Sequence, residues 1–193
     1  MEEQVRTNET NRREILKLSG MGVLGGVVVG ALASGKDQAA DQPINISYAS
    51  WIHGHSMQIE YPDRIASQWR PGFGIILEGM PGTENWFHFA IPTPVIIDDV
   101  RLRADSVMLR FTTASVDAFV RHVHVYDGEV RVATHDDIYL SGENPFVRLA
   151  VPGRPLMAWG LGISLGVGFG VEAMDHHMQF IAAGCDFTIQ EPV

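Results

Sequence analysis

Residues 160–171 read GLGISLGVGFGV. Gly or Ser fills every even position: Gly160, Gly162, Ser164, Gly166, Gly168 and Gly170. Leu161, Ile163, Leu165, Val167, Phe169 and Val171 fill the odd ones. A period of two is the signature of an extended strand. Glycine is a poor strand former, so its place at every second position needs a cause. A dinucleotide-binding loop needs Gly-x-Gly-x-x-Gly opening a helix, and that spacing does not occur in the segment. The alternation runs straight through, so the glycines belong to a strand with one apolar face and one bare face. Two readings stay open. A backbone or bulky ring packs over the bare face, or the face is the floor of a ligand groove.

Alternation of the same kind dominates outward from this segment, from Ile46 to the C-terminus. About eleven short runs are separated by turn signals such as Tyr61-Pro62-Asp63, Pro81-Gly82, Asp127-Gly128, Ser141-Gly142 and Pro152-Gly153. One stretch, PDRIASQW at 62–69, is expected to form a short helix behind Pro62. The fold class that follows is all-β: a single-domain, two-sheet antiparallel β-sandwich or jelly roll over 46–193. The Gly-alternating strand is expected at the centre of a sheet.

The hairpin RHVHVYDGEVRVATH (121–135) supplies the sharpest local expectation. With Asp127-Gly128 as a two-residue turn, Tyr126 pairs with Glu129, Val125 with Val130, His124 with Arg131 and His122 with Ala133. Every Val then faces a core, and His122, His124, Tyr126, Glu129 and Arg131 face out. An Arg opposite His124 speaks against a cation there, because like charges repel.

The first 33 residues have a different character. Arg12-Arg13, Ile15-Leu16-Lys17, an apolar run from Leu18 to Leu32 and the small-residue site Ala31-Leu32-Ala33 follow in order. They resemble a twin-arginine export signal. That resemblance implies a helical signal over 1–33, engagement of the twin-arginine (Tat) export machinery, cleavage after Ala33 with Ala40 as the second choice, and a periplasmic or extracellular destination. The apolar run is short for a membrane span, so no stable span is expected in the mature form. Residues 34–45 read as a polar linker.

The sequence has 193 residues and a net charge of −9. The first 33 residues carry four charges of each sign, leaving 10 Lys+Arg against 19 Asp+Glu beyond them. So acidic a domain repels phosphate backbones, and nucleic acid is excluded as a general partner. Cys185 is the sole cysteine. It shares the parity of Ile181, Phe187 and Ile189, and reads as a small buried apolar residue.

Three groups of side chains carry candidate chemistry. In NWFHFAI (85–91), Phe87, Phe89 and Ile91 form the core-facing set, leaving Trp86 and His88 on the other face. A Trp beside a His on a sheet suits a sugar ring or small aromatic ligand. With His124 and Tyr126 of the hairpin they make the leading ligand-binding face. In WIHGHSMQIE (51–60), His53-x-His55 with Glu60 offers the alternative of one divalent metal in a cupin-like jelly-roll enzyme. Gly54 between the two histidines invites a turn instead. Asp98-Asp99 and Asp136-Asp137 are acidic pairs that read as solvated loops rather than calcium ligands.

Taken together, WIHGHSMQIE, NWFHFAIPTPVIIDDVRLR, VRHVHVYDG and GLGISLGVGF resemble an uncharacterised bacterial family of exported β-sandwich proteins. His53, Trp86, His88, Pro92, Pro94, Tyr126, Asp127 and Gly128 fall at its shared positions; His55 fits less clearly. The resemblance implies no assigned activity. The leading expectation is therefore an exported, non-catalytic binding or envelope-surface module for a small molecule or glycan, with no cofactor. The metal-dependent enzyme is the alternative. A third reading is a structural envelope protein that self-associates through sheet edges.

Overall fold

The computed structural model describes residues 45–172 and 174–189. The expected export signal, with Arg12, Arg13, Ala31 and Ala33, and residues 34–44 of the expected linker lie outside the described residues.

The described chain is almost entirely strand. In order these are β1 (Tyr48–His53), β2 (Gln58–Ile59), β3 (Ile65–Trp69), β4 (Ile75–Gly79), β5 (Thr83–Ile91), β6 (Ile96–Ile97) and β7 (Val100–Arg101). There follow β8 (Arg103–Thr113), β9 (Ala118–Asp127), β10 (Val130–His135), β11 (Glu143–Ala150), β12 (Leu161–Phe169) and β13 (His177–Thr188). One sheet runs β11–β8–β13–β4–β3, and β1 takes the stretch of β13 beyond β4. The other runs β10–β9–β12–β5–β2. All pairings are antiparallel. The fold is an antiparallel β-sandwich. No helix among the described residues is long and apolar enough to cross a membrane.

The alternating pattern decides which faces meet. Phe87, Phe89 and Ile91 of β5, Val123 and Val125 of β9, and all five apolar residues of β12 point into the core. Leu77, Leu109, Phe111, Phe180 and Phe187 come from the other sheet. Phe180 bridges the layers, its ring 4.9 Å from Phe87 and 5.9 Å from Phe89. Cys185 belongs to this core, and burial pushes its thiol pKa well up, which leaves it without thiolate character.

Two local expectations are corrected. Residues 62–69 are not a helix: Pro62–Arg64 form one 3₁₀ turn, and Ile65–Trp69 form an edge strand paired with β4. Ladder pairing outweighs the weak helical preference of so short a segment. In line with its reading as a solvated loop, the pair Asp98-Asp99 forms the exposed two-residue turn between β6 and β7, both residues at positive φ, a conformation acidic and amide residues tolerate better than most.

The second correction moves the hairpin. Asp127 pairs with Val130, so the turn is Gly128-Glu129, with Gly128 at φ +58°. Arg131 then faces Tyr126, and a bulge at Val132 resets the register so that Thr134 faces His124. Val130 is exposed rather than buried. Asp127 is kept in the strand because its carboxylate accepts three N–H groups from residues 158–160.

Candidate functional site

β12 lies between β5 and β9, and its stripped face is the floor of a trough. Register places Gly162 between Ala90 and Tyr126, Ser164 between His88 and His124, and Gly166 between Trp86 and His122. The outward side chains of β5 and β9 thus rise as two walls over a floor almost without side chains. Trp86 and His122 close over Gly166, their rings 5.8 Å apart and nearly parallel. A Cβ on Gly166 would stand 3.0 Å from His122 and 3.1 Å from Trp86. One on Gly168 would stand 2.6 Å from the Phe119 ring. Only Tyr126 Cβ, at 4.0 Å, approaches the same position at Gly162. The glycines therefore serve both purposes raised by the sequence. They admit rings from the neighbouring strands at 166 and 168, and they leave the trough open at 162.

Polar groups converge on the middle of the floor. With its proton on Nε2, His88 donates to Glu60 Oε2 at 3.0 Å, and the Ser164 hydroxyl donates to His88 Nδ1 at 2.9 Å. Glu60 reaches this position because buried Asn85 clamps the segment beside it. Asn85 Nδ2 donates to Tyr61 O, its Oδ1 accepts the Tyr61 N–H, and Glu60 N donates to Trp86 O. The Tyr61 hydroxyl, and then His88, hold the Glu60 carboxyl below the usual carboxylate range against the effect of burial. Hydroxyl, imidazole and carboxylate in series have the composition of a nucleophilic triad. However, Ser164 lies mid-strand with ladders on both flanks, so β12 has no spare N–H for an oxyanion. The series is suited to hydrogen bonding a ligand.

Beside the trough, Asp136 Oδ1 accepts from His122 Nδ1 at 2.7 Å and from His124 Nε2 at 2.8 Å. His124 first, then His122, hold the Asp136 carboxyl below its ordinary range, against burial. His122 stands outward next to His124 by plain alternation, and a bulge at Arg121 lets Val120 as well as Val123 face the core. Arg121 is itself bonded to Glu84 and Asp137.

Trp86, His88, His124 and Tyr126 are thus brought to one face. Trp86 lies 5.0 Å from His124, and Tyr126 stands at the open end by Gly162. His53 and His55 lie ring against ring, centroids 4.5 Å apart, but Glu60 does not join them and bonds His88 instead. Between His53 and Glu60 the chain leaves one sheet, turns through a 3₁₀ segment at Gly54–Ser56, and enters the other sheet at β2. His55 Nε2 meets the Pro71 and Gly74 carbonyls, and His53 Nδ1 accepts the His55 N–H. Asn85 and Asp136 join the site unforeseen, and Glu60 joins it from the metal alternative. In the sequence Asp136 is only half of an acidic pair, since its approach to the histidines depends on the register of β10 against β9 and the bulge at Val132.

A second concavity lies on the other sheet. Trp51, Arg110, Phe146 and Ala182 line an open cavity of about 430 Å³. The Trp51 and Phe146 rings are 6.2 Å apart.

No curated protein matches the chain. Among solved structures, the low-affinity xylan-binding module CBM86 from Roseburia intestinalis is 10% identical, with a TM-score of 0.45, covering 73% of this chain and 96% of that one. An apo cyclase from Fischerella sp. is 10% identical, with a TM-score of 0.43 and coverages of 79% and 93%. The CBM36-1 domain of a xylanase from the hindgut metagenome of Trinervitermes trinervoides is 8% identical, with a TM-score of 0.37 and coverages of 72% and 96%. Residues 46–190 match the model of a family of unknown function, DUF6623, and the chain belongs to that family.

Proposed function

We propose that the protein is an exported, non-catalytic binding module that takes a small polar ring, such as one unit of a neutral saccharide, in the trough over β12. The observation that carries this reading is the open floor at Gly162 and Ser164 between Tyr126, His88, His124 and Trp86. Aromatic faces stack on the C–H side of a sugar, while imidazoles, a carboxylate and a hydroxyl bond its hydroxyl groups. Export is supported by the order in which the twin arginine, the apolar run and the small-residue site follow one another in the sequence of residues 12–33.

Gly162→Val is the sharpest test, since it fills the trough where an added Cβ meets nothing closer than 4.0 Å. The variant is expected to fold as the parent does and to lose the fluorescence response to a panel of neutral mono- and oligosaccharides. Retained binding would refute the trough. The cavity beside Trp51 and Phe146 favours a second reading, with a ligand on the opposite sheet. In that case Trp51→Ala abolishes the response and Gly162→Val leaves it intact.

A further inference from the structure

We propose that His122, His124 and Asp136 form a binding site for one divalent first-row transition-metal ion of the zinc class. Among the described residues, this is the group of three His, Cys, Asp or Glu side chains whose donor atoms lie within 4.8 Å of one another. The site borders the saccharide trough and shares His124 with it, but it takes a different ligand chemistry and does not rest on that reading.

The geometry is close to that of a metal centre. His122 Nδ1 and His124 Nε2 converge on a single oxygen, Asp136 Oδ1, at 2.7 and 2.8 Å. Donors about 2.0–2.1 Å from a tetrahedral zinc stand roughly 3.3 Å apart. Each His–Asp136 pair therefore has to open by about half an ångström, and the two imidazole donors already stand within 4.8 Å of each other. Asp136 can supply that movement, because its side chain is 45% exposed, against 21% for His122 and 12% for His124. The two imidazoles move their protons to the other ring nitrogen and present lone pairs at the atoms now bonded to the carboxylate.

The donor set selects the ion. Two imidazole nitrogens with one carboxylate suit zinc, cobalt, nickel or copper. Calcium and magnesium prefer all-oxygen shells. Three protein donors leave a position open, as zinc sites that bind an outside molecule do. The support is rigid: His122 and His124 sit on a strand flanked on both sides, and Trp86 stacks on His122. Charge also permits a cation. Arg131 faces Tyr126 rather than His124, and Arg121 is engaged by Glu84 and Asp137.

The test is calorimetric titration of the untagged full chain, stripped of metal by chelation, with zinc chloride, alongside visible absorption with cobalt(II). One ion per chain is expected, with a cobalt band typical of low coordination. Asp136→Asn and His124→Ala should each weaken zinc binding by about tenfold or more and remove the band. His177→Ala, which lies at Asp175 and Glu78 instead, should change neither. If His124→Ala fails to fold by circular dichroism, the exposed, isosteric Asp136→Asn decides. No zinc binding overturns the proposal, as does zinc binding that survives Asp136→Asn or is lost in His177→Ala. Because no saccharide is present, these outcomes leave the trough reading untouched, and Gly162→Val tests that reading separately.

Discussion

Asp127→Asn strikes the joint that carries the chain into β12. The Asp127 side chain is buried, at 6% exposure. Its Oδ2 accepts the Ala158 N–H at 2.7 Å, and its Oδ1 accepts those of Trp159 and Gly160 at 2.8 and 2.9 Å. Hydrogen bonds to a charged group contribute about 1.5–3 kcal/mol each. An Asn with its oxygen toward Trp159 and Gly160 keeps those two bonds without their charge and turns an NH₂ against the Ala158 N–H. One full bond is lost and two are weakened, a cost of about 3–4 kcal/mol. In a domain of this size that lowers the melting temperature by roughly 10 °C. The pH dependence follows from the same contacts. Burial works against the charge, but the N–H groups of Gly160, Ala158 and Trp159 prevail and hold the carboxyl below its ordinary 3.8. The stabilisation is therefore whole above the unfolded value, and it is lost as pH falls from there through the folded pKa. Urea unfolding followed by circular dichroism between pH 7 and pH 2.5 measures both effects. The difference between parent and variant should be constant near neutrality and shrink below about pH 4. A variant within about 1 kcal/mol of the parent at pH 7, or a difference that does not shrink in acid, would refute the role given to these bonds.

Two further outcomes follow from packing. Phe180→Ala removes the ring that bridges Phe87 and Phe89 and should cost about 3–5 kcal/mol in denaturant unfolding; a loss under about 1 kcal/mol would mean the sheets do not meet there. Gly166→Ala forces His122 and Trp86 apart, so the Trp86 part of the emission, isolated by difference against Trp86→Phe, should shift. An unshifted spectrum would show that the two rings do not close over Gly166.

Strand parity made the architecture legible, because an alternation survives any error in where a strand begins or ends. Phe87, Phe89, Val123, Val125 and the odd residues of β12 face the core because each must be buried by its own strand's period. The same parity put Trp86, His88, His124 and Tyr126 on the opposite face. Cross-strand neighbours obey a stricter condition, since one extra residue displaces every pair beyond it. Nothing in the composition of Arg121 or Val132 marks a bulge, yet both residues carry one. The turn at Gly128-Glu129, one residue later than expected, moves Arg131 from His124 to Tyr126. The bulge at Val132 then sets Thr134 beside His124, and Asp136 beyond the strand end meets both histidines.

That shift reverses the chemical argument at this edge of the sheet. An Arg opposite His124 would repel a cation; a carboxylate between His122 and His124 attracts one. For a metal site the deciding quantity is the distance between side chains on different strands, which depends on register and not on periodicity. His53 and His55 illustrate the converse. Their spacing within one segment looked ligand-like, but the 3₁₀ turn at Gly54–Ser56 and the crossing between sheets carry Glu60 to His88 instead. Histidine spacing along a strand therefore locates a face, and only the register of the neighbouring strand says whether that face carries the third donor.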